Sequence, residues 1–206
     1  MMTKSVETWL QELADRTPTP GGGGAAALTA AISAALIGMV TAYTTGEKWQ
    51  DREARMKELN AEAAELRSTA LALVGEDEAA FATVGAAYRM PKGTDAEKSE
   101  RAMAIQVALV EAAHPPAGVA RVARRLVDIA GELVESGNPN VVSDVGVASA
   151  AAHAALQAAV LNIEINLRQI ADPQVGMDLR AEVATATEYI ERADAVTERV
   201  RTAIAQ

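Results

Sequence analysis

Apolar residues recur at three- and four-residue spacing along almost the whole chain, and strictly alternating runs are nearly absent. The pattern predicts helices and no convincing strand. A first helix is expected over about Ser5 to Arg16, with Val6, Trp9, Leu10 and Leu13 on one face. After a break at Thr17–Gly24, a nearly charge-free helix is expected from Ala25 to about Gly46. A charged helix follows, from about Trp49 to Val74, with Leu59, Ala63, Leu66, Ala70 and Leu73 as its inner stripe and Gly75 as its end.

A separate helix is expected from Glu76, with Asp77, Phe81, Val84 and Tyr88 on one face. Thr94 and Glu97 form a T-x-x-E capping box for a helix reaching about Ala113. His114-Pro115-Pro116 interrupts the pattern and places His114 at a helix C-terminus. The next helix runs to about Ser136, and "GNPN" breaks it. Ser143 and Asp144 open a long helix ending near Ile170, and Asp172 caps the last one with Pro173 at its first position. That makes eight helical segments, the longest about 25 residues or roughly 37 Å. Short connections between long helices imply an all-α, up-and-down bundle, read as a single domain over 1–206.

Composition agrees with that reading. Half of the chain is hydrophobic, only 3% is aromatic, and alanine dominates the apolar set. Small side chains let helices approach closely. The Ala, Gly, Ser and Thr content of 25–46 favours a helix buried inside a bundle over a membrane span. The net charge of −9, with no basic cluster, argues against nucleic-acid binding. No cysteine is present, which removes disulfides, thiolate catalysis and zinc–thiolate sites. The N-terminus lacks the basic and apolar regions of a signal peptide, so a cytoplasmic location is expected.

Three stretches bear on chemistry. In "TPTPGGGGAAALTAA", four glycines precede a strong helix, where first-turn N–H groups lack partners. Gly21, Gly22, Gly23 and Gly24 therefore form either a ligand-docking edge or a turn for close packing or hinging, and spacing alone does not choose. No G-K-[ST] follows, so it is not a Walker loop. Asp77 shares the apolar face of Phe81 and Val84 while Glu76 and Glu78 point elsewhere, and a carboxylate at a core edge has a raised pKa. Asn138, Asn140, Ser143 and Asp144 read as turn and cap residues. Asn162 and Asn166, four apart in an apolar helix, need partners, either in a ligand or in the protein by tethering helices within a dimer. His114 and His153 form no ligand pattern, and no metal site is expected.

The ordered set "PGGGGAAALTAAISAALIGMV", "TTGEKW", "DEAAF", "GNPNVVSDVGVA" and "NIEINL", over about residues 3–200, closely resembles the cyclodeaminase/cyclohydrolase family. This family comprises the C-terminal domain of formiminotransferase-cyclodeaminase and its stand-alone relatives. The resemblance implies a dimerising helical bundle that acts on tetrahydrofolate derivatives. One branch hydrolyses 5,10-methenyltetrahydrofolate to the 10-formyl form. The other cyclises 5-formiminotetrahydrofolate and releases ammonia. The family's D-x-x-A-F aspartate, regarded as catalytic, falls on Asp77.

By this resemblance Asp77 is the first candidate for the proton carrier and Asp144 the second. The glycine turn would hold a folate oxygen. Asn138, Asn140 and Ser143 would serve the pterin or the glycine loop, and Lys92 the glutamate tail. No metal or redox cofactor is implied, and a homodimer, with no nucleic acid and no membrane, is the expected assembly. This chain departs from the family's pattern at Gly24, commonly serine, and at Glu47 and Trp49, often a basic residue and tyrosine. No formiminotransferase sequence is seen, which weights the expectation toward the hydrolase. The departures keep open a non-catalytic helical protein on the same scaffold.

Overall fold

The structure, a computed structural model, describes residues 4–206. The first three residues, where the amphipathic N-terminus and the family resemblance begin, lie outside the described residues. Seven α-helices are present among the described residues: α1 (Val6–Ala14), α2 (Gly22–Ala42), α3 (Glu53–Tyr88), α4 (Asp95–Ala112), α5 (His114–Ser136), α6 (Val142–Leu167) and α7 (Pro173–Ile204). Two short 3-10 turns, Glu47–Trp49 and Pro139–Val141, complete the order, and no strand occurs among the described residues. The all-α, up-and-down reading holds.

Four sequence expectations need correction. Gly75 does not end a helix, because α3 runs unbroken for 36 residues. An exposed glycine in an otherwise helix-favouring run costs only about 1 kcal/mol, less than breaking a helix that neighbours hold on both sides. His114 does not close α4 but opens α5, with Pro115 and Pro116 in the first turn, where their missing N–H groups cost nothing. Three glycines of the tetraglycine lie inside α2, with Gly21 as N-cap. The charged helix starts at Glu53, because Glu47–Trp49 forms a 3-10 turn first.

α2 is the central helix. It lies antiparallel to α3, with Asn60 donating to the Gly38 carbonyl at one end (2.9 Å) and Asp77 beside Gly23 at the other. It is also antiparallel to α6, where the buried Ser33 hydroxyl donates to the Ala148 carbonyl (2.8 Å). Buried alanines on both helices, such as Ala27, Ala30, Ala148 and Ala152, permit this close approach. Ser149 repeats the device on α7, donating to Ala193 O at 2.9 Å. α5 supplies more of the larger core side chains than any other helix, notably Leu126, Ile129 and Leu133.

Forked ion pairs fix the register of α3 against α5. Arg55 holds both oxygens of Glu132 (2.7 and 2.8 Å), and Arg125 holds both of Glu62 (2.5 and 2.8 Å). Each arginine keeps its partner carboxylate below the ordinary range. α3 is much longer than α2. Its last eleven residues pass beyond the start of α2, pack with α4, and face the C-terminal end of α6 across a cavity. α1 crosses this same end, anchored by Trp9, whose ring lies against Gly24 and Val74.

Candidate active site

The glycine run places backbone where side chains would obstruct. The N–H groups of the first α2 turn have no partner within their own helix. Asp77 approaches that turn from α3. A Cβ on Gly23 would stand 2.5 Å from Asp77 Cγ and 2.8 Å from Oδ2, so only glycine admits the carboxylate there. The Gly24 N–H is directed at the same carboxylate. The anion at this helix mouth is thus one of the chain's own side chains.

Burial pushes the Asp77 carboxyl above its ordinary value, against the opposing pull of the Gly24 amide, and nearby Glu78 adds to the rise. Desolvation therefore outweighs the hydrogen bond. A carboxylate in that state is a stronger base than an ordinary aspartate.

Asp77 lines a cavity of about 220 Å³ between α3, α4 and α6. Phe81, Val84, Leu109 and Ile165 make its apolar walls, and Tyr88, Asn162, Asn166 and Gln169 add polar groups. Asn162 also faces the glycine turn: a Cβ on Gly22 would lie 3.9 Å from its Nδ2. Tyr88 donates to Gln169 Oε1 (2.7 Å), and Gln106 pins the end of α6 through Gln169 O (3.0 Å) and the Ala171 amide (2.8 Å). Sequence reasoning grouped Asp77, Phe81, Val84 and Tyr88 correctly on one face. It singled out Asn162 and Asn166 without choosing between a ligand and the tethering of helices within a dimer. Leu109 and Gln169 carried no signal, because only the folded return of α4 and α6 brings them in.

The other sequence candidates lie elsewhere in the chain. Asn138 caps the Pro139–Val141 turn by accepting from the Asn140 amide (3.0 Å), and it donates to Tyr43 O (2.9 Å). That contact puts Asn138, Asn140, Ser143 and Asp144 at the C-terminal end of α2. The glycine turn is about 30 Å away along 21 residues of helix. Within one chain these residues do not reach the glycine loop. Lys92 is exposed in the α3–α4 loop, outside the cavity lining. Among the described residues, no three His, Asp or Glu side chains come together as a metal-ligand set.

Residues 5–185 match the family model described as Formiminotransferase-cyclodeaminase. The chain belongs to that family. Among formiminotransferase-cyclodeaminase relatives, a methenyltetrahydrofolate cyclohydrolase of Methylorubrum extorquens is 43% identical over 170 residues, 82% of each chain. The formimidoyltransferase-cyclodeaminase of Rattus norvegicus is 33% identical over 177 residues, which span only 32% of its length. The solved structure of a formiminotetrahydrofolate cyclodeaminase from Thermotoga maritima matches with a TM-score of 0.83 at 30% identity, over 98% of this chain and 96% of that one.

Proposed function

We propose that this chain hydrolyses 5,10-methenyltetrahydrofolate to 10-formyltetrahydrofolate, with Asp77 as the proton carrier. The observation that carries the reading is the half-buried Asp77 carboxylate lodged in the glycine turn at the end of an apolar-walled cavity. The cyclohydrolase relative, matched over most of its length, favours hydrolysis.

The substrate is a cation delocalised over N5, the bridging carbon and N10. A carboxylate in a low-dielectric cavity stabilises that cation. Water attacks the bridging carbon while Asp77 takes one of its protons. The C–N5 bond then breaks, Asp77 returns the proton to N5, and the remaining hydroxyl proton leaves to solvent as the formyl carbonyl forms. One water is consumed and one proton released, which balances the loss of the substrate's positive charge. The Gly24 amide holds Asp77 in place during both transfers.

The distant candidates enter through a second copy of the chain. The 21 residues of α2 include no charge, yet only 11 of them are buried within the chain. Ile32, at the midpoint of α2, is 51% exposed, and Val147 on the adjacent α6 is 54% exposed. A two-fold axis passing near Ile32 would lay two α2 helices antiparallel. The Asn138–Asp144 segment of one protomer would then meet the glycine end of its partner. Asn138, Asn140 and Ser143 would reach substrate there, with Asp144 as a second carboxylate, while Lys92 would attract the glutamate tail.

Asp77→Asn should keep the helical circular dichroism and slow the loss of methenyl absorbance by about 10²–10⁴-fold. Wild-type turnover in that variant removes Asp77 from the chemistry. The Thermotoga maritima neighbour supports a second reading, cyclisation of 5-formiminotetrahydrofolate. Ammonia release from that substrate, without methenyl hydrolysis, would replace the first reading with the second.

A further inference from the structure

The two asparagines of α6 have amide orientations set by their surroundings. Asn162 Nδ2 donates to Ala158 O (2.7 Å). Asn166 Nδ2 donates to Ala112 O (3.2 Å) and to Asn162 O (3.0 Å). All three partners are backbone carbonyls, which only accept. Turning either amide over would set oxygen against oxygen, so the NH2 groups must face the backbone. The two Oδ1 atoms are left as acceptors. Among the described residues neither receives a hydrogen bond, and neither is sealed from the cavity that both residues line.

The acceptor bias extends further. Asp77, when ionised, accepts only. Tyr88 spends its hydroxyl proton on Gln169 Oε1, which leaves the Gln169 NH2 as the free donor of the lining. A ligand that satisfies this cavity packs against Phe81 and Ile165 and carries several N–H groups on one edge, with few acceptors. Spacing of four residues puts Asn162 and Asn166 one helical turn apart on the same face, so they can contact one edge together.

We propose that Asn162 and Asn166 are the specificity-determining residues of this cavity, two fixed acceptors that take the N–H edge of the reduced pterin ring, its 2-amino group and adjacent ring N–H. This rests on the folate reading above. It assigns the pterin to the chamber between α3, α4 and α6, and directs the bridging carbon toward Asp77 at the glycine turn. A site built to receive a donor rejects an analogue lacking it, because the acceptor is then buried unpaired.

The experiment compares methenyltetrahydrofolate with its 2-deamino-2-methyl analogue, on the wild type and on Asn162→Leu. Asn162 is the better choice because its lock lies within its own helix, whereas Asn166 also ties α6 to α4. The wild type should favour the 2-amino substrate by about 10–100-fold in KM, the scale of one buried hydrogen bond. Asn162→Leu should raise KM for the 2-amino substrate about tenfold or more, leave kcat within about threefold, and largely erase the preference. Equal losses on both substrates, or no loss, overturn the proposal. A wild type that handles both alike overturns it without any variant. If Asn162→Leu does not fold, Asn162→Ala carries the same comparison. A wild type that neither turns over nor is thermally shifted by methenyltetrahydrofolate fails the folate reading itself; turnover with an intact preference in the variant fails only this one.

Discussion

A methyl group on Gly23 would land on the Asp77 carboxylate, so these two residues are fitted to each other. Gly23→Ala should displace the carboxylate, lower kcat by about 10²-fold and leave the helical content unchanged. Added to Asp77→Asn, it should lower the rate no further, since both act through one group; steady-state rates of the three variants check this. Asp77 also makes stability depend on pH. Its folded pKa is raised above the ordinary 3.8, so folding takes up a proton between the two values. The stabilisation is complete below 3.8 and is lost as pH rises through the raised value. Asp77→Asn should therefore melt above wild type at neutral pH, and that gap should close on acidification, measured over roughly pH 3 to 8. Asp77 was legible in the sequence because a lone carboxylate stood on an apolar stripe. That Gly23 cradles it was not legible, because the pairing joins residues 54 positions apart.

At the scale of elements, α3 shows where local signals mislead. Gly75 and the acidic run after it look like a stop followed by a start. Yet α2, α4 and α5 all pack against α3, and their contacts outweigh one poor helix former. No atom outside α3 lies within 4 Å of a Cβ built on Gly75. Gly75→Ala should therefore stabilise by about 0.5–1 kcal/mol, raising Tm by about 1–4 °C. A lower Tm in thermal melts would mean that the helix does break there. The continuity has a functional consequence: it carries Phe81 and Tyr88 past the start of α2, to face α6 across the cavity. The capping box at Thr94–Glu97 formed as the sequence indicated, because it depends only on residues three apart.

For the whole molecule, an up-and-down topology separates what the order of motifs seemed to unite. The glycine turn and the Asn138–Asp144 segment sit at opposite ends of α2, and no reading of helix periodicity shows which ends coincide. The proposed two-fold contact predicts a complementation. Asp77→Asn and Asp144→Asn chains, each strongly impaired alone, should regain about a quarter of wild-type activity after being unfolded and refolded together, since half of the dimers are mixed and each mixed dimer has one intact site. Sites contained within single chains would give no recovery. If α2 pairs as proposed, Ile32→Glu should yield monomers where the wild type sediments as a dimer, with loss of activity.

The most direct test of Asp77 as the proton carrier is the pH dependence of kcat for methenyltetrahydrofolate hydrolysis, compared between wild type and Asp77→Asn. The wild-type rate should fall on acidification through one ionisation lying above 3.8, and the residual rate of the variant should lack that limb. The same limb in both proteins would contradict the assignment of the proton to Asp77.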